Sequence, residues 1–384
     1  TMSYPSELSS WAGEVSRHMP QLTTSQARGL AWYSFAVTLV QSSGLSHVAY
    51  FLACLLGQEE NTVRQRLREV VYEVEQKRGT QRREVDVVLC FAPLLTWILT
   101  NWRSPDDRLC LALDATTLRQ TFTVLSVSVL VGRCAIPVAW TVLPATQAGA
   151  WKPHWQGLLR SVHVPSELSV LVMADRGLYA KWLFDDLVTL GWHPLLGINA
   201  QGWVHLRETN QRLPLAQFAT ACSGKWWHGQ ALCFSGENRL DCTLLVLWDA
   251  QQQDVWLLVT DLPPAHVSPT WYAVRMWIEF GFKALKSAGF HWERTRMHDP
   301  ARAERLWLVL ALAALRLALL TPEAVPRFPQ EQPHYPRLTW LKQALLPQLA
   351  ALIRHTPLPC YPLRMQALPP APCLEFATQL KTYP

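Results

Sequence analysis

LCLALD (residues 109–114), SVLVMAD (169–175) and HPLLGIN (193–199) are the stretches whose reading decides the fold. Each is a short apolar run of strand length, too brief for a helix of the same character. Between the first two lie TFTVLSVSVLV (121–131) and CAIPVAWTVL (134–143), rich in β-branched residues and joined by a Gly132-Arg133 turn. Helical patterns follow at 155–162 and 178–190. Three strands followed by alternating helix and strand predict an α/β domain with a mixed sheet. Two of the runs end in an acid, Asp114 and Asp175, and the carboxyl ends of strands are where α/β sheets place their ligands.

Working outward, residues 1–105 read as helical. The apolar-periodic segment 45–56 is broken by Gly57, and Asn61 is positioned to cap a second helix, TVRQRLREVVYEVEQKR. The pair resembles a helix-turn-helix, with Arg64, Arg66 and Arg68 in the first two turns where such a helix meets DNA. A solvated face on an ordinary helical domain would carry the same arginines. On the other side, residues 201–261 form a β-rich insertion (GWVHL, ALCFS, DCTLLVLW, VWLLVTD). Helices are expected at 270–288 and 301–320. Beyond Thr321 fall thirteen of the chain's 27 prolines, which limits that tail to short pieces and one helix at 338–354. The division is therefore 1–105, 106–320 and 321–384.

Composition excludes more than it selects. The apolar run 306–320 is shorter than the roughly 18 residues a membrane span needs and contains Arg316, so it predicts a buried helix and no membrane association. Nine cysteines without a C-x-x-C argue against a structural zinc site and a disulfide framework, and point to a reducing, cytoplasmic setting. There is no H-x-x-H and no phosphate-cradling glycine loop. A net charge of +6 and a pI near 8.9 are compatible with a polyanionic partner without demanding one.

The segment WYAVRMWIEFGFKALKSAG (271–289) carries the chemistry. On a wheel of 100° per residue, Tyr272, Arg275, Glu279, Lys283 and Lys286 share an arc of about 80° on an otherwise apolar cylinder. Surface helices have wide polar faces; this narrow stripe must face a cleft or a partner. One carboxylate among a guanidinium, two ammonium groups and a phenol suits a place where metal and phosphate meet. Pairing of Glu279 with Arg275 and Lys283 at i−4 and i+4 is the purely structural alternative. Asp114 and Asp175 could likewise be turn formers. Taken together, two strand-end aspartates and a helical glutamate can converge on a pair of divalent ions.

At this point the chain resembles a family. Tyr272, Arg275, Glu279 and Lys286 reproduce Y-x2-R-x3-E-x6-K, the signature of one large group of DDE-type bacterial insertion-sequence transposases of the cut-and-paste kind. LALDATT around Asp114 and MADRGLY around Asp175 are similar to that group's two aspartate boxes. The resemblance, over roughly 105–320, implies a ribonuclease-H-like catalytic core with an all-β insertion, flanked by the α-helical N-terminal domain and the proline-rich helical C-terminal segment. It implies that Asp114, Asp175 and Glu279 are catalytic and bind two Mg²⁺ ions, with Mn²⁺ expected to substitute. Tyr272, Arg275 and Lys286 would contact phosphates at the transposon end, and helix geometry adds Lys283. A flipped base would need an aromatic partner, for which Trp226 and Trp227 in KWWHG are the candidates. The implied activity is excision at terminal inverted repeats in double-stranded DNA and strand transfer into target DNA, by a homodimer in the paired-end complex at the nucleoid. The competing expectation is a non-enzymatic DNA-binding protein derived from such an element. The tail helix, with Trp340, Leu341, Leu345, Leu346, Leu349 and Leu352 at helical spacing, is a candidate dimer contact.

Overall fold

The computed structural model describes residues 4–77, 83–104, 106–146, 151–223, 226–248, 255–321, 340–358, 360–364 and 368. The fold is mixed α/β. In chain order come helices α1 (Tyr4–His18), α2 (Thr24–Val40), α3 (Leu45–Leu56), α4 (Glu60–Val71) and α5 (Val88–Thr100). Strands β1 (Trp102–Arg103), β2 (Arg108–Leu118), β3 (Phe122–Val131) and β4 (Cys134–Pro144) follow. Next are α6 (Lys152–Ser161), β5 (Ser169–Ala174), α7 (Lys181–Thr189), β6 (His193–Gly197), β7 (Trp203–Leu206), β8 (Arg212–Pro214) and α8 (Leu215–Ala221). The remainder is β9 (Trp226–Cys233), β10 (Leu240–Leu247), β11 (Trp256–Thr260), α9 (Met276–Leu285), α10 (Pro300–Leu319), α11 (Trp340–Ile353) and β12 (Leu363–Arg364).

These elements form two compact units: Thr1–Ser104 with Ala115–Pro165 and Trp277–Met365, and Pro105–Asp114 with Ser166–Met276 and Gln366–Pro384. In the first, helix α10 is apolar around most of its circumference and buried accordingly, with α2, α4, α11 and β4 against it. Thr23 and Gln26 close a capping box on α2. Helix α3 ends on Gly57 in the left-handed region, where a residue without Cβ is least strained. Strands β3 and β4 pair antiparallel through Gly132-Arg133, both at positive φ (51° and 73°), as a tight hairpin turn requires. Every residue of β3 is buried, and α6 packs on the hairpin.

In the second unit, β5 pairs parallel with the first half of β2 on one side and with β6 on the other. Helix α7 makes the crossover between β5 and β6 and packs on β6. The β-rich insertion is not a separate layer. Strand β11 pairs antiparallel with β6, β10 with β11, β9 with β10, β7 with β9 and β8 with β7, so residues 203–260 continue the same sheet.

Four expectations are corrected. The second helix of the amino-terminal pair is capped by Glu59 rather than Asn61, and it stops at Val71. Tertiary pairing overrides its periodicity: Tyr72 is extended (ψ 152°) beneath the Arg302 guanidinium, and Glu73 pairs with Arg302. Within the segment expected to be wholly helical, Trp102–Arg103 is a strand paired with Leu363–Arg364. The insertion is not all β, because Leu215, Phe218 and Ala219, at i, i+3 and i+4, bury one face of α8. Finally, the helix expected from residue 270 begins as a 3₁₀ turn, Pro269–Arg275, before α9 starts at Met276. Thr270, Trp271, Tyr272 and Val274 are poor α-formers after a proline.

The tail helix is present. Leu341, Ala344, Leu345 and Leu352 are buried, with α10 and α2 packed against the helix, while Leu346 and Ile353 stay exposed. The Trp340 side chain and most of the proline-rich tail lie outside the described residues. The eight described cysteines are free thiols. Among the described residues no single helix is long and apolar enough to cross a membrane, and α2 with α3, bent by 99°, would pass only as a pair.

Candidate functional site

Leu113 pairs with Ala174 in the parallel ladder, so Asp114 and Asp175 are the next residues along adjacent strands. Neighbouring strands lie about 4.8 Å apart, which makes the two aspartates side-by-side neighbours. Asp175 lies just past the carboxyl end of β5, and Asp114 lies within β2, which runs on to Leu118 instead of ending at the acid as the sequence suggested. The Asp175 Oδ1 accepts hydrogen bonds from the backbone N–H groups of Gly177 and Leu178, each at 3.0 Å. That Asx-type turn holds one oxygen and fixes the carboxylate. The Asp114 Oδ2 lies 3.7 Å from Arg275 Nη1, both side chains being largely buried.

The 3₁₀ turn explains how Arg275 gets there. With three residues per turn, positions i and i+3 eclipse, so Arg275 sits above Tyr272, its guanidinium 5.7 Å from the ring centre. Tyr272 is buried and its hydroxyl donates to the Ala174 carbonyl at 2.9 Å, inside the unit. The phenol expected at a phosphate is thus committed to the backbone beside Asp175. Burial pushes its pKa well up; Arg275 pulls it back, while the charges of Asp175 and Asp114 push it further up.

Beside these groups is a cavity of about 210 Å³ lined by Asp175, Arg176, Gly197, Trp256, Tyr272 and Arg275. Trp256 meets the Tyr272 ring edge-on, 5.4 Å between centres. Trp256, Arg176 and Gly197 were not anticipated from the sequence. Their signals were present only as a tryptophan opening VWLLVTD, the arginine of D-R-G and a glycine in HPLLGIN.

The aromatic candidates Trp226 and Trp227 lie elsewhere in this unit, on β9. Trp226 is 5.2 Å from His228, and Trp227 packs edge-on against Phe218 at 4.8 Å and over Gly229. Trp227 is therefore part of the sheet's own packing.

The remaining predicted residues belong to the other unit. Glu279 and Lys283, four residues apart on α9, share a helix face, and Lys283 is exposed beside the Phe280 ring. The Lys286 ammonium donates to Thr116 Oγ1 and, at 2.7 Å, to the Thr117 carbonyl, two and three residues after Asp114. Gly281 admits α9 close to β4, since a Cβ there would come 2.8 Å from the Ala135 carbonyl oxygen. In the amino-terminal helices, α2, α3 and α4 pack against one another. Arg66 lies over Trp32 (4.8 Å) and Arg68 over Tyr72 (4.7 Å), so both guanidinium groups stack on rings of their own chain. Arg64 is half-buried on α4.

Carboxylate oxygens are the donors a hard divalent cation takes, and Asp114 and Asp175 supply two side by side. Among the described residues no three His, Cys, Asp or Glu side chains are gathered as a metal site. A divalent ion at the aspartate pair would complete its shell with water or substrate oxygens, as Mg²⁺ commonly does. The donor set fits the ion in kind.

Comparison with known proteins supplies two findings. Residues 138–316 match the model of the transposase DDE domain, a stretch that contains Asp175, Tyr272, Arg275, Glu279 and Lys286 and begins after Asp114. Among solved structures, the chain is similar to a piggyBac transposase in a synaptic complex with hairpin DNA, at 10% identity and a TM-score of 0.39, covering 90% of this chain and 77% of that one. No curated protein matches it.

Proposed function

We propose that this chain is a metal-dependent DNA transposase, a reading supported by the match of residues 138–316 to the model of the transposase DDE domain. It cleaves double-stranded DNA at the inverted repeats of an insertion sequence and joins the freed ends to target DNA. The observation that carries the reading is the aspartate pair side by side on adjacent parallel strands, with Arg275 and a small aromatic-walled cavity beside it. Asp114 and Asp175 are the proposed ligands for Mg²⁺, with Mn²⁺ as a substitute. Glu279 is the third, a role that rests on the Y-R-E-K spacing. When bound, two such ions activate the attacking oxygen and stabilise the leaving one in phosphoryl displacement.

The protein's own groups do the rest. Arg275 and Arg176 offer guanidinium forks to phosphodiester oxygens, and Arg275 neutralises Asp114 until DNA arrives. Lys283 on α9 and Lys286 just past its end add point charges. Trp256 presents an aromatic ring beside Asp175 and joins Trp226 and Trp227 as a candidate partner for an unstacked base. The parallel β2–β5–β6 ladder and the antiparallel β3–β4 hairpin support a ribonuclease-H-like core. The helix pair α3–α4 is the proposed contact with the inverted repeat, through Arg64 first and then Arg66 and Arg68. The exposed Leu346 and Ile353 of α11 are what that helix leaves for a second protomer in the paired-end complex.

The test is strand cleavage of a labelled element end in Mg²⁺. Asp114→Asn, Asp175→Asn and Glu279→Gln should each abolish cleavage while end binding in Ca²⁺ persists. Wild-type protein that binds the end yet never cuts it would move the conclusion to a DNA-binding derivative of such an enzyme. Near-normal cleavage by one variant would remove that residue from the site.

A further inference from the structure

Asp175 is gripped from both sides of its own backbone. The carbonyl of the preceding residue, Ala174, accepts the Tyr272 hydroxyl at 2.9 Å. On the following side, the Asp175–Arg176 peptide lies against Gly197 at the end of β6. A Cβ placed on Gly197 would come 2.8 Å from Tyr272 Oη, 3.0 Å from Arg176 N and 3.4 Å from the Asp175 carbonyl carbon. The first distance is closer than real Cβ contacts come, and the second is tight enough that the Arg176 peptide would have to give by a few tenths of an ångström. No positive φ accounts for the glycine here; the requirement is space. β5 and β6 pair up to Ala174↔Leu196, which brings Gly197 opposite Asp175, and β6 is held from its other edge by the pair Leu258↔Gly197. Gly197 is thus pinned by β11 on one side and forms the bed for Asp175 and Tyr272 on the other.

We infer that Gly197 and Tyr272 are positioning residues that together set the Asp175 carboxylate for metal. Tyr272 fixes the peptide before it, Gly197 the peptide after it, and the Gly177 and Leu178 N–H groups the carboxylate itself. None of the three contacts requires Tyr272 to touch DNA. The inference rests on the proposed function for its metal. It extends that function by giving the tyrosine of the signature a structural partner and by adding a residue the signature does not contain.

The contact makes a specific demand on a pair of substitutions. Gly197→Ala drives a methyl group against the Tyr272 hydroxyl and the Arg176 peptide, so Asp175 must shift. A shift of about 1 Å at such a site can lower a rate by roughly 100-fold. Tyr272→Phe removes the nearer obstacle and one tether. The double variant Gly197→Ala/Tyr272→Phe should therefore cleave and bind metal better than Gly197→Ala alone, with partial recovery because the Arg176 contact remains. Two measurements are made on the full chain: Mn²⁺ binding by electron paramagnetic resonance without DNA, and the Mn²⁺ concentration for half-maximal cleavage. Circular dichroism checks folding. The expected result is weaker Mn²⁺ binding in Gly197→Ala at unchanged helix content, with partial restoration in the double variant. Gly197→Ala with wild-type Mn²⁺ binding, or a double variant as poor as the sum of the two single changes, overturns the inference. If Gly197→Ala fails to fold, the comparison moves to Tyr272→Phe. That variant must then weaken Mn²⁺ binding with end binding retained, and normal Mn²⁺ binding in it overturns the inference. A wild-type protein that neither binds Mn²⁺ nor cleaves refutes the proposed function instead.

Discussion

Arg305 should cost more to remove than Arg302, one turn earlier on the same helix. It projects from α10 with its side chain 8% exposed. Its Nη1 donates to the Val71 carbonyl at 3.0 Å and its Nε to the Val85 carbonyl at 3.3 Å. Nη2 donates to Glu84 Oε2 at 2.8 Å. Arg305→Ala strips two backbone carbonyls of their donor at about 1 kcal/mol or more each. Lost packing of the aliphatic stem adds roughly 1–2 kcal/mol more. The Glu84 pair adds little, because Glu84 is nearly half exposed. The total is about 3–4 kcal/mol. Arg302, one turn earlier, grips Glu73 with Nε and Nη2 (2.9–3.1 Å) and covers Tyr72. It is a quarter exposed, so Arg302→Ala should cost only about 1–2 kcal/mol. Urea unfolding of the full chain, followed by tryptophan fluorescence, measures both. A smaller loss for Arg305→Ala than for Arg302→Ala would refute the reasoning that orphaned carbonyls dominate.

Three further outcomes follow from the same contacts. The hydrogen bonds from Arg302 hold the Glu73 carboxyl below its usual 4.5. Its contribution is therefore complete above that value and disappears as pH falls through the lower folded value, and Arg302→Ala should flatten this acid-side decline in the urea midpoint. Glu304 behaves oppositely: burial raises its carboxyl, although Val142 N–H and Thr141 Oγ1 bond to it. Stability should drop as pH climbs from the unfolded value towards the raised folded one, and Glu304→Gln should remove that slope. Arg64→Ala should weaken end binding and lower the salt slope by about 1 if the guanidinium meets a phosphate, whereas Arg66→Ala should also lower the melting temperature through the lost Trp32 contact; an unchanged salt slope would take Arg64 off the DNA.

The fold class was legible because strands buried on both faces read as unbroken apolar runs. SVLVMAD announces its own end with an acid and the Gly132-Arg133 turn announces itself by composition, whereas LCLALD does not: β2 runs past Asp114 to Leu118. What escaped was set by contacts distant in sequence. Nothing in TVRQRLREVVYEVEQKR says that the helix must stop at Val71; the reason is Arg302 and Arg305, more than two hundred residues later. The 100° wheel placed Tyr272 and Arg275 on one stripe with Glu279, but a 3₁₀ turn follows a different angle, and it turned the phenol inward. Trp256 was invisible for a related reason. A tryptophan beginning a strand looks the same whether it packs in a core or lines a cavity, and only the register of β11 against β6 distinguishes the two.

That register also has a bearing on how the protein is made. Asp175 leaves the ribosome long before the parts that hold it. Strand β6 can lie beside β5 as soon as both are synthesised, but its outer edge has no partner until β11, beginning at Trp256, has emerged, and the tether from Tyr272 comes later still. In the interval the nascent chain exposes an apolar strand edge of the kind that recruits other chains. A product truncated anywhere between Gly197 and Trp256 would carry that exposed edge permanently, and a carboxylate without its clamp. Such fragments should be insoluble, and under the proposed function they should be incapable of cleavage.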